Sequence, residues 1–419
     1  MPTVERPALG LWKKLGPGLV TGASDDDPSG IATYAVAGAA WGYATLWTAV
    51  LTLPLMVAVQ LVCARIGMVC GIGLTGAIRR HYPQWLLTSI CLVLLSANVF
   101  NIAADLAGMA DAIAMLVAIP ELVSVPLLGV AIIAFTIFSR YETFAKYVKW
   151  STLVLLSYVA ASLLARPDWR EALRRSFFPQ IHWSRGYVTM LVAILGTTIS
   201  PYLFFWQASH EVEAEKAMGR RTRRSRRGAT DGELDDARTD VIVGMTFSNL
   251  VQFFIIIGTA ATLFRSGAHD IETTRQAAEA LRPLAGDAAY WLFGVGLISS
   301  GILAVPILAG SASFAIAELR GWRSGLDEPF NRARRFYVVF GTAIAIGIAL
   351  NLLNVSPIRM LYYSAIANGL AAPPLMIIIM LVANNERVMG ERTNTRSLNV
   401  LGWAATALMA TAALAMIAV

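Results

Sequence analysis

Residues 16–36 form an apolar stretch long enough to cross a bilayer, yet its centre holds three consecutive aspartates and a proline: Gly16-Pro17-Gly18-Leu19-Val20-Thr21-Gly22-Ala23-Ser24-Asp25-Asp26-Asp27-Pro28-Ser29-Gly30-Ile31-Ala32. A charged side chain in hydrocarbon costs about 2.5 to 3.5 kcal/mol on insertion scales, and proline removes a backbone donor and crowds the turn before it. A membrane helix at this place must therefore break where the acids sit, and carboxylates at such a break make a cation site. A solvated helix start outside the membrane would also house the acids, but apolar sequence flanks them on both sides.

The rest of the chain fits a membrane setting. Of 419 residues, 56% are hydrophobic and 15% charged, far more apolar than a soluble domain of this size. Apolar windows of about 20 residues fall near 16–36, 44–65, 84–118, 123–139, 148–165, 187–215, 239–264, 288–317, 334–353, 358–383 and 398–418. These are eleven expected spans, numbered 1 to 11 in chain order, and the fold class they imply is an all-α membrane bundle. Span 1 follows Lys13 and Lys14 but carries the acids, so it reads as part of the fold and not as a cleavable leader. Cys63, Cys70 and Cys91 lie in or beside apolar segments, without metal-ligand spacing, and read as packing residues.

Placing the N-terminus in the cytoplasm puts most of the 34 basic residues in cytoplasmic loops and the C-terminus outside. The loop 166–185 dissents, with five arginines accompanied by Asp168 and Glu171. The net charge of +7 is then mostly topological, including the run Arg220-Arg221-Thr222-Arg223-Arg224-Ser225-Arg226-Arg227. Such a run suits nucleic acid or anionic lipid. With no aromatic residue between the arginines, a solvated, flexible cytoplasmic loop is the expectation. His210, Glu211, Glu213 and Glu215 likewise read as a solvated helix end or an exit vestibule.

Span 6 is interrupted too, at Ile194-Leu195-Gly196-Thr197-Thr198-Ile199-Ser200-Pro201-Tyr202. Breaks in spans 1 and 6 occupy corresponding places if residues 16–165 and 187–383 are two five-helix repeats and 398–418 is an extra helix. Inverted repeats of this kind bring the two breaks together near the bilayer midplane, where unwound carbonyls and side chains hold ions.

At this point the residues resemble a family. Gly16-Pro17-Gly18 leading to Asp27-Pro28-Ser29-Gly30 is similar to the first helix of the NRAMP divalent-metal transporters, with its Asp-Pro-Gly-Asn motif. Ser200-Pro201-Tyr202 falls where that family has Met-Pro-His, and Ala103-Ala104-Asp105-Leu106-Ala107 resembles its third-helix Ala-Thr-Asp-Leu-Ala-Glu. The likeness in layout covers the whole chain and is greatest to the NRAMP-related branch associated with magnesium and manganese. It implies a LeuT-like inverted repeat of spans 1–5 and 6–10 plus an eleventh helix.

The resemblance also implies a ligand set: Asp27, Gly30 in place of the family's Asn, the Thr197 carbonyl, and Ser200 in place of a Met sulfur. A thioether is soft and favours transition metals, whereas a hydroxyl is hard. Two smaller residues leave room for water, which suits Mg²⁺ or Mn²⁺, because Mg²⁺ sheds its waters reluctantly. Asp25 and Asp26 are expected to add nearby charge, or one of them to cap the second half of span 1. Gly108 stands at the family's third-helix Glu, and Tyr202 and Gln207 at its sixth-helix histidines, so the implied proton relay is largely missing. Asp105 keeps its family place and Asp111 follows it on the same helix; Asp105, Asn98 and Asn101 read equally as hydrogen-bonding glue between helices. Asn368, ahead of Pro373-Pro374, is a further candidate for the pathway.

The expectation is a divalent-metal importer of a bacterial inner membrane. It carries Mg²⁺ or Mn²⁺ by alternating access without proton coupling, and has no resident cofactor, no catalytic activity, no nucleic-acid partner and no obligatory protein partner beyond the lipid bilayer. The alternatives are a proton-coupled Mn²⁺/Fe²⁺ symporter and an organic-solute symporter, whose substrate carboxylate three acids would repel. An intramembrane aspartyl protease pairing Asp27 with Asp105 is more remote, as no Gly-x-Gly-Asp pattern supports it.

Overall fold

The computed structural model describes residues 16–117, 119–138, 154–282, 286–353 and 355–418, which are helical with no strand among them. Each expected span meets a helix. Span 1 is two helices, Pro17–Asp25 and Pro28–Trp41, and span 6 is Arg185–Thr198 followed by Pro201–Ala217. The others are Trp47–Cys70, Gln84–Val117, Glu121–Phe138, Val154–Leu164, Asp231–Thr259 running on to Phe264, Ala289–Arg320, Arg334–Leu350, Pro357–Ala383 and Arg396–Ala418. The part of span 5 expected at 148–153 lies outside the described residues.

Lipid is as apolar as leucine, so the bundle is not held by the hydrophobic effect between its helices; close packing and polar contacts hold it. Span 6 is its centre. In that span 89% of the apolar window is buried within the protein, against 22% in spans 4 and 11, which face lipid. Small residues permit the tightest contact. A Cβ on Gly22 would stand 2.2 Å from the Gly244 carbonyl oxygen, and one on Gly244 would stand 2.1 Å from that of Gly18. The first half of span 1 thus lies backbone to backbone on span 7. Gly22→Val must push these backbones apart; overpacking costs about 1–3 kcal/mol, and the upper end applies because no flexible side chain can yield. The apparent melting temperature of the purified protein should fall by several degrees, and an unchanged value would disprove the contact.

Loop contacts sort the ends. Gly16 meets Asp240, Arg226 meets Gly71, Arg79 meets the Glu318 carbonyl, and Arg392 pairs with Asp231. These bring the N-terminal segment and the 2–3, 6–7, 8–9 and 10–11 connections to one end. Asp168 with Tyr43, Tyr187 with Ala44, Thr274 with Asp111 and Ser356 with Glu272 gather the 1–2, 3–4, 5–6, 7–8 and 9–10 connections at the other. Span 3 is glued to span 8 by Asn98, whose Nδ2 donates to the Leu308 carbonyl at 2.9 Å and to Ser311 Oγ at 2.7 Å.

Candidate metal centre

Both breaks follow from local chemistry. The first half of span 1 stops at Asp25, Asp26 leaves helical geometry at φ −85° and ψ 51°, and Asp27 is extended at φ −68° and ψ 168°. Pro28 then opens the second half, where a missing N–H costs nothing. The cap comes from Asp27 itself and not from Asp25 or Asp26: its Oδ1 accepts from Gly30 N at 2.6 Å and Ser29 Oγ at 2.8 Å. Its Oδ2 accepts from Asn101 Nδ2 at 2.9 Å and lies 3.5 Å from the Tyr202 hydroxyl, which donates to the Ser24 carbonyl at 2.8 Å.

In span 6, Ile199 leaves helical geometry at φ −117° and ψ 64°, and Ser200 is extended at φ −82° and ψ 132°, as the residue before a proline prefers. The Ser200 hydroxyl turns back along the helix and shares its proton between the Thr197 carbonyl at 2.6 Å and the Gly196 carbonyl at 2.9 Å. Its lone pairs remain free to accept.

The two breaks meet at Gly30. A Cβ built there would stand 3.0 Å from Thr197 Oγ1, 3.2 Å from the Asp25 carbonyl oxygen and 3.3 Å from Asp27 Oδ1. The missing side chain thus lets three oxygens of the two breaks close in on Gly30. Thr197 Oγ1 is buried without a hydrogen-bond partner, so the hydroxyl of Thr197, and not only its carbonyl, faces Gly30. Asp27, Thr197 and Ser200 are each 1% exposed, which closes the centre to both sides.

Asp25 and Asp26 turn elsewhere. Ser248 Oγ on span 7 lies 2.6 Å from Asp25 Oδ2 and 3.2 Å from Asp26 Oδ1. Among the described residues no three His, Cys, Asp or Glu side chains converge as a metal site. On span 3, Asn101, Asp105 and Met109 are spaced four apart and share one face. That face touches span 1, through Asn101 at Asp27 and through Met109 near Gly301 and Pro28. Both carboxylate oxygens of Asp105 are buried on this face. Asn101 is therefore part of the centre, whereas Asn98 is glue; the four-residue spacing to Asp105 was the signal.

Gln207 lies outside the centre and ties halves together: its Oε1 accepts from Thr21 Oγ1 at 2.5 Å and its Nε2 donates to Glu211 at 2.8 Å. The end of span 6 is not solvated as expected, since His210, Glu211 and Glu215 are only 2–6% exposed. Asp111 accepts from Thr274 N at 3.2 Å, a structural cap. Asn368 on span 10 is buried with both amide atoms unpartnered, next to Gly369, whose backbone crowds Gly196. Asp240 gave little signal beyond being an acid in an apolar span. It accepts from the amides of Gly16, Gly18 and Leu19 at 2.6 to 3.0 Å and pins the start of span 1 to span 7.

Two broken spans facing each other over buried oxygens, in a bundle of this layout, define a secondary transporter of the LeuT-like class. A family description, Natural resistance-associated macrophage protein-like (Nramp), matches residues 18–419, and the chain belongs to that family. It is 26% identical over 405 residues to a Divalent metal cation transporter MntH of Klebsiella pneumoniae, covering 94% of this chain and 91% of that protein. It is 25% identical over 402 residues to a protein of the same name from Caldanaerobacter subterraneus, covering 93% and 89%. The fold is similar to that of the Eremococcus coleocola manganese transporter, with a TM-score of 0.80 at 18% identity over 98% of this chain and 88% of that one. It is more distantly similar to that of Mhp1, a nucleobase-cation-symport-1 family transporter, with a TM-score of 0.58 at 14% identity over 96% and 92%.

Proposed function

We propose that this protein carries divalent metal ions across a membrane by alternating access, with Mg²⁺ and Mn²⁺ as its substrates. The site lies at the facing breaks, where Asp27, Thr197 and Ser200 supply oxygens and Gly30, having no side chain, lets them draw together. The observation that carries this reading is the convergence on Gly30 of a carboxylate oxygen, a carbonyl at the helix break and an unpartnered hydroxyl. Hard cations take oxygen ligands, and these three are all oxygen. The relatives named as divalent metal cation transporters support the same substrate class.

Asp25, Asp26, Asp105, Tyr202 and Asn368 make the surroundings more negative or polar without joining the ligands, and Gln207 ties the first half of span 1 to the second half of span 6 along the pathway. Residues 16–165 and 187–383 act as the two inverted repeats. Transport is inward, with the N-terminus in the cytoplasm of a bacterial cell, and proceeds without protons. At Gly108, where the resemblance places a glutamate, a Cβ would meet Leu361 Cδ1 at 2.9 Å, so span 10 packs where a relay carboxylate would stand.

Calorimetric titration in detergent tests the ligand chemistry. Wild type should respond to Mg²⁺ and Mn²⁺. Ser200→Met adds a thioether and releases the Thr197 carbonyl from its serine hydrogen bond, so preference should move toward Mn²⁺ and Cd²⁺ by about tenfold or more. Strong Cd²⁺ binding by wild type with no response to Mg²⁺ would overturn the hard-ion assignment.

A further inference from the structure

The end of the bundle that carries the 2–3, 6–7 and 10–11 connections holds a second polar feature. Arg80, Arg223, Arg227 and Arg387 come from three separate connections and, with His81, line one cavity of about 190 Å³ that no carboxylate among the described residues enters. Four carboxylates of this end are engaged elsewhere. Glu215 and Glu233 hold Arg220, Glu318 accepts from the amides of Gly73 and Gly76, and Asp231 holds Arg392. Arg223 Nε is buried without a hydrogen-bond partner.

The arginine run stays largely exposed, as its sequence suggests, but it is folded rather than a flexible loop. Arg226 is only 8% exposed, and it donates to the carbonyls of Gly71, Arg220 and Arg221 at 2.9 to 3.2 Å. Gly228 N donates to the Val69 carbonyl at 3.0 Å. Gly71 permits this approach: its φ of +62° suits glycine, and a Cβ there would stand 2.9 Å from that of Arg226. Arg220 and Arg226 thus build the loop, and Arg223 and Arg227 are left facing the cavity.

Four guanidinium groups keep their charge at any physiological pH and repel one another when held together. An anion offsets that repulsion, and the planar fork of arginine matches phosphate oxygens in pairs. We propose that this cavity is a binding site for a phosphate-bearing anion, either a soluble polyphosphate or the headgroup of an anionic phospholipid. Because the loop continues directly from the second half of span 6, such a ligand joins that half to the ends of spans 2 and 10. The site is independent of the metal reading, and its test contains no divalent metal.

Wild type and an Arg223→Gln/Arg227→Gln/Arg387→Gln variant are placed in phosphatidylcholine nanodiscs and titrated calorimetrically with sodium pyrophosphate in buffer containing EDTA. An Arg170→Gln variant, altered at the opposite end, serves as control. Wild type and control should bind pyrophosphate with an affinity that falls as salt rises, and the triple variant about tenfold or more weakly. If the triple variant does not fold, Arg387→Gln alone, outside the arginine run, should still weaken binding measurably. The titration is repeated with phosphatidylglycerol in the discs, and phosphatidylglycerol retained by each purified protein is measured. Pyrophosphate binding that survives the lipid supports a soluble ligand, whereas binding lost to the lipid, with more lipid retained by wild type than by the variant, supports the headgroup. Equal pyrophosphate affinity and equal lipid retention in wild type and arginine variants overturn the site.

Discussion

Asp27→Asn is expected to abolish metal transport while leaving the protein folded. Asparagine caps helices as well as aspartate does, so residue 27 can still accept from Gly30 N and Ser29 Oγ, and the break in span 1 persists. The exchange puts a donor where Oδ2 accepts from Asn101. Asn101 Oδ1 has no partner of its own, so a flip of that amide restores the pairing. What is lost is charge. Two unit charges about 4 Å apart attract by about 4 kcal/mol at an effective dielectric of about 20, and a divalent ion doubles this. At 1.4 kcal/mol per tenfold, uptake should fall by about a hundredfold or more, with a melting temperature within a few degrees of wild type. Asp27→Ala should also be inactive, and it additionally loses about 0.5–2 kcal/mol of capping. Uptake by Asp27→Asn at the wild-type rate would show that the site has been placed wrongly.

The second large effect concerns energetics. Gly108 faces Leu361, Tyr202 bonds the Ser24 carbonyl, and Gln207 is held by Thr21 and Glu211, so none of these positions offers a base to a proton. On the proposed reading, metal entry is driven by the metal gradient and the membrane potential. For a charge of +2 at about 100 mV, inside negative, the potential supplies about 4.6 kcal/mol, enough for more than a thousandfold accumulation. Asp105 is the competing candidate, a fully buried carboxylate on the face that meets Asp27. A pH-sensitive dye trapped in proteoliposomes should report no acidification in proportion to Mg²⁺ or Mn²⁺ uptake, and Asp105→Asn should still transport. Acidification that scales with metal entry and vanishes in Asp105→Asn would make Asp105 a proton carrier and end the uncoupled reading.

The spans were legible because bilayer thickness imposes a length that composition alone reveals. The breaks were legible because Asp25 to Pro28 and Pro201 violate that composition. Partners across helix faces were not. Nothing local distinguishes Ser248 from other serines of the spans, yet it reaches Asp25 and Asp26, because the Gly22–Gly244 approach draws span 7 against span 1. His210, Glu211 and Glu215 read as solvated because acids near a helix end usually are; their burial depends on the neighbours that surround span 6. Arg226 likewise looks like its neighbours in the run until Gly71 lets the loop close over span 2. The helix Trp169–Phe177, capped by Asp168 in the loop whose charge opposed the topology, also escaped the span count, since nine residues are too short to cross a bilayer.

The most direct measurement is divalent-metal entry into proteoliposomes holding the purified wild-type protein, with an inside-negative potential and a metal-sensitive dye within. Mg²⁺ and Mn²⁺ should enter faster than into protein-free vesicles, at a rate that rises with the potential and is lost in Asp27→Asn. Folded wild-type protein that admits neither ion under these conditions would contradict the assignment of this chain as a carrier of hard divalent metals.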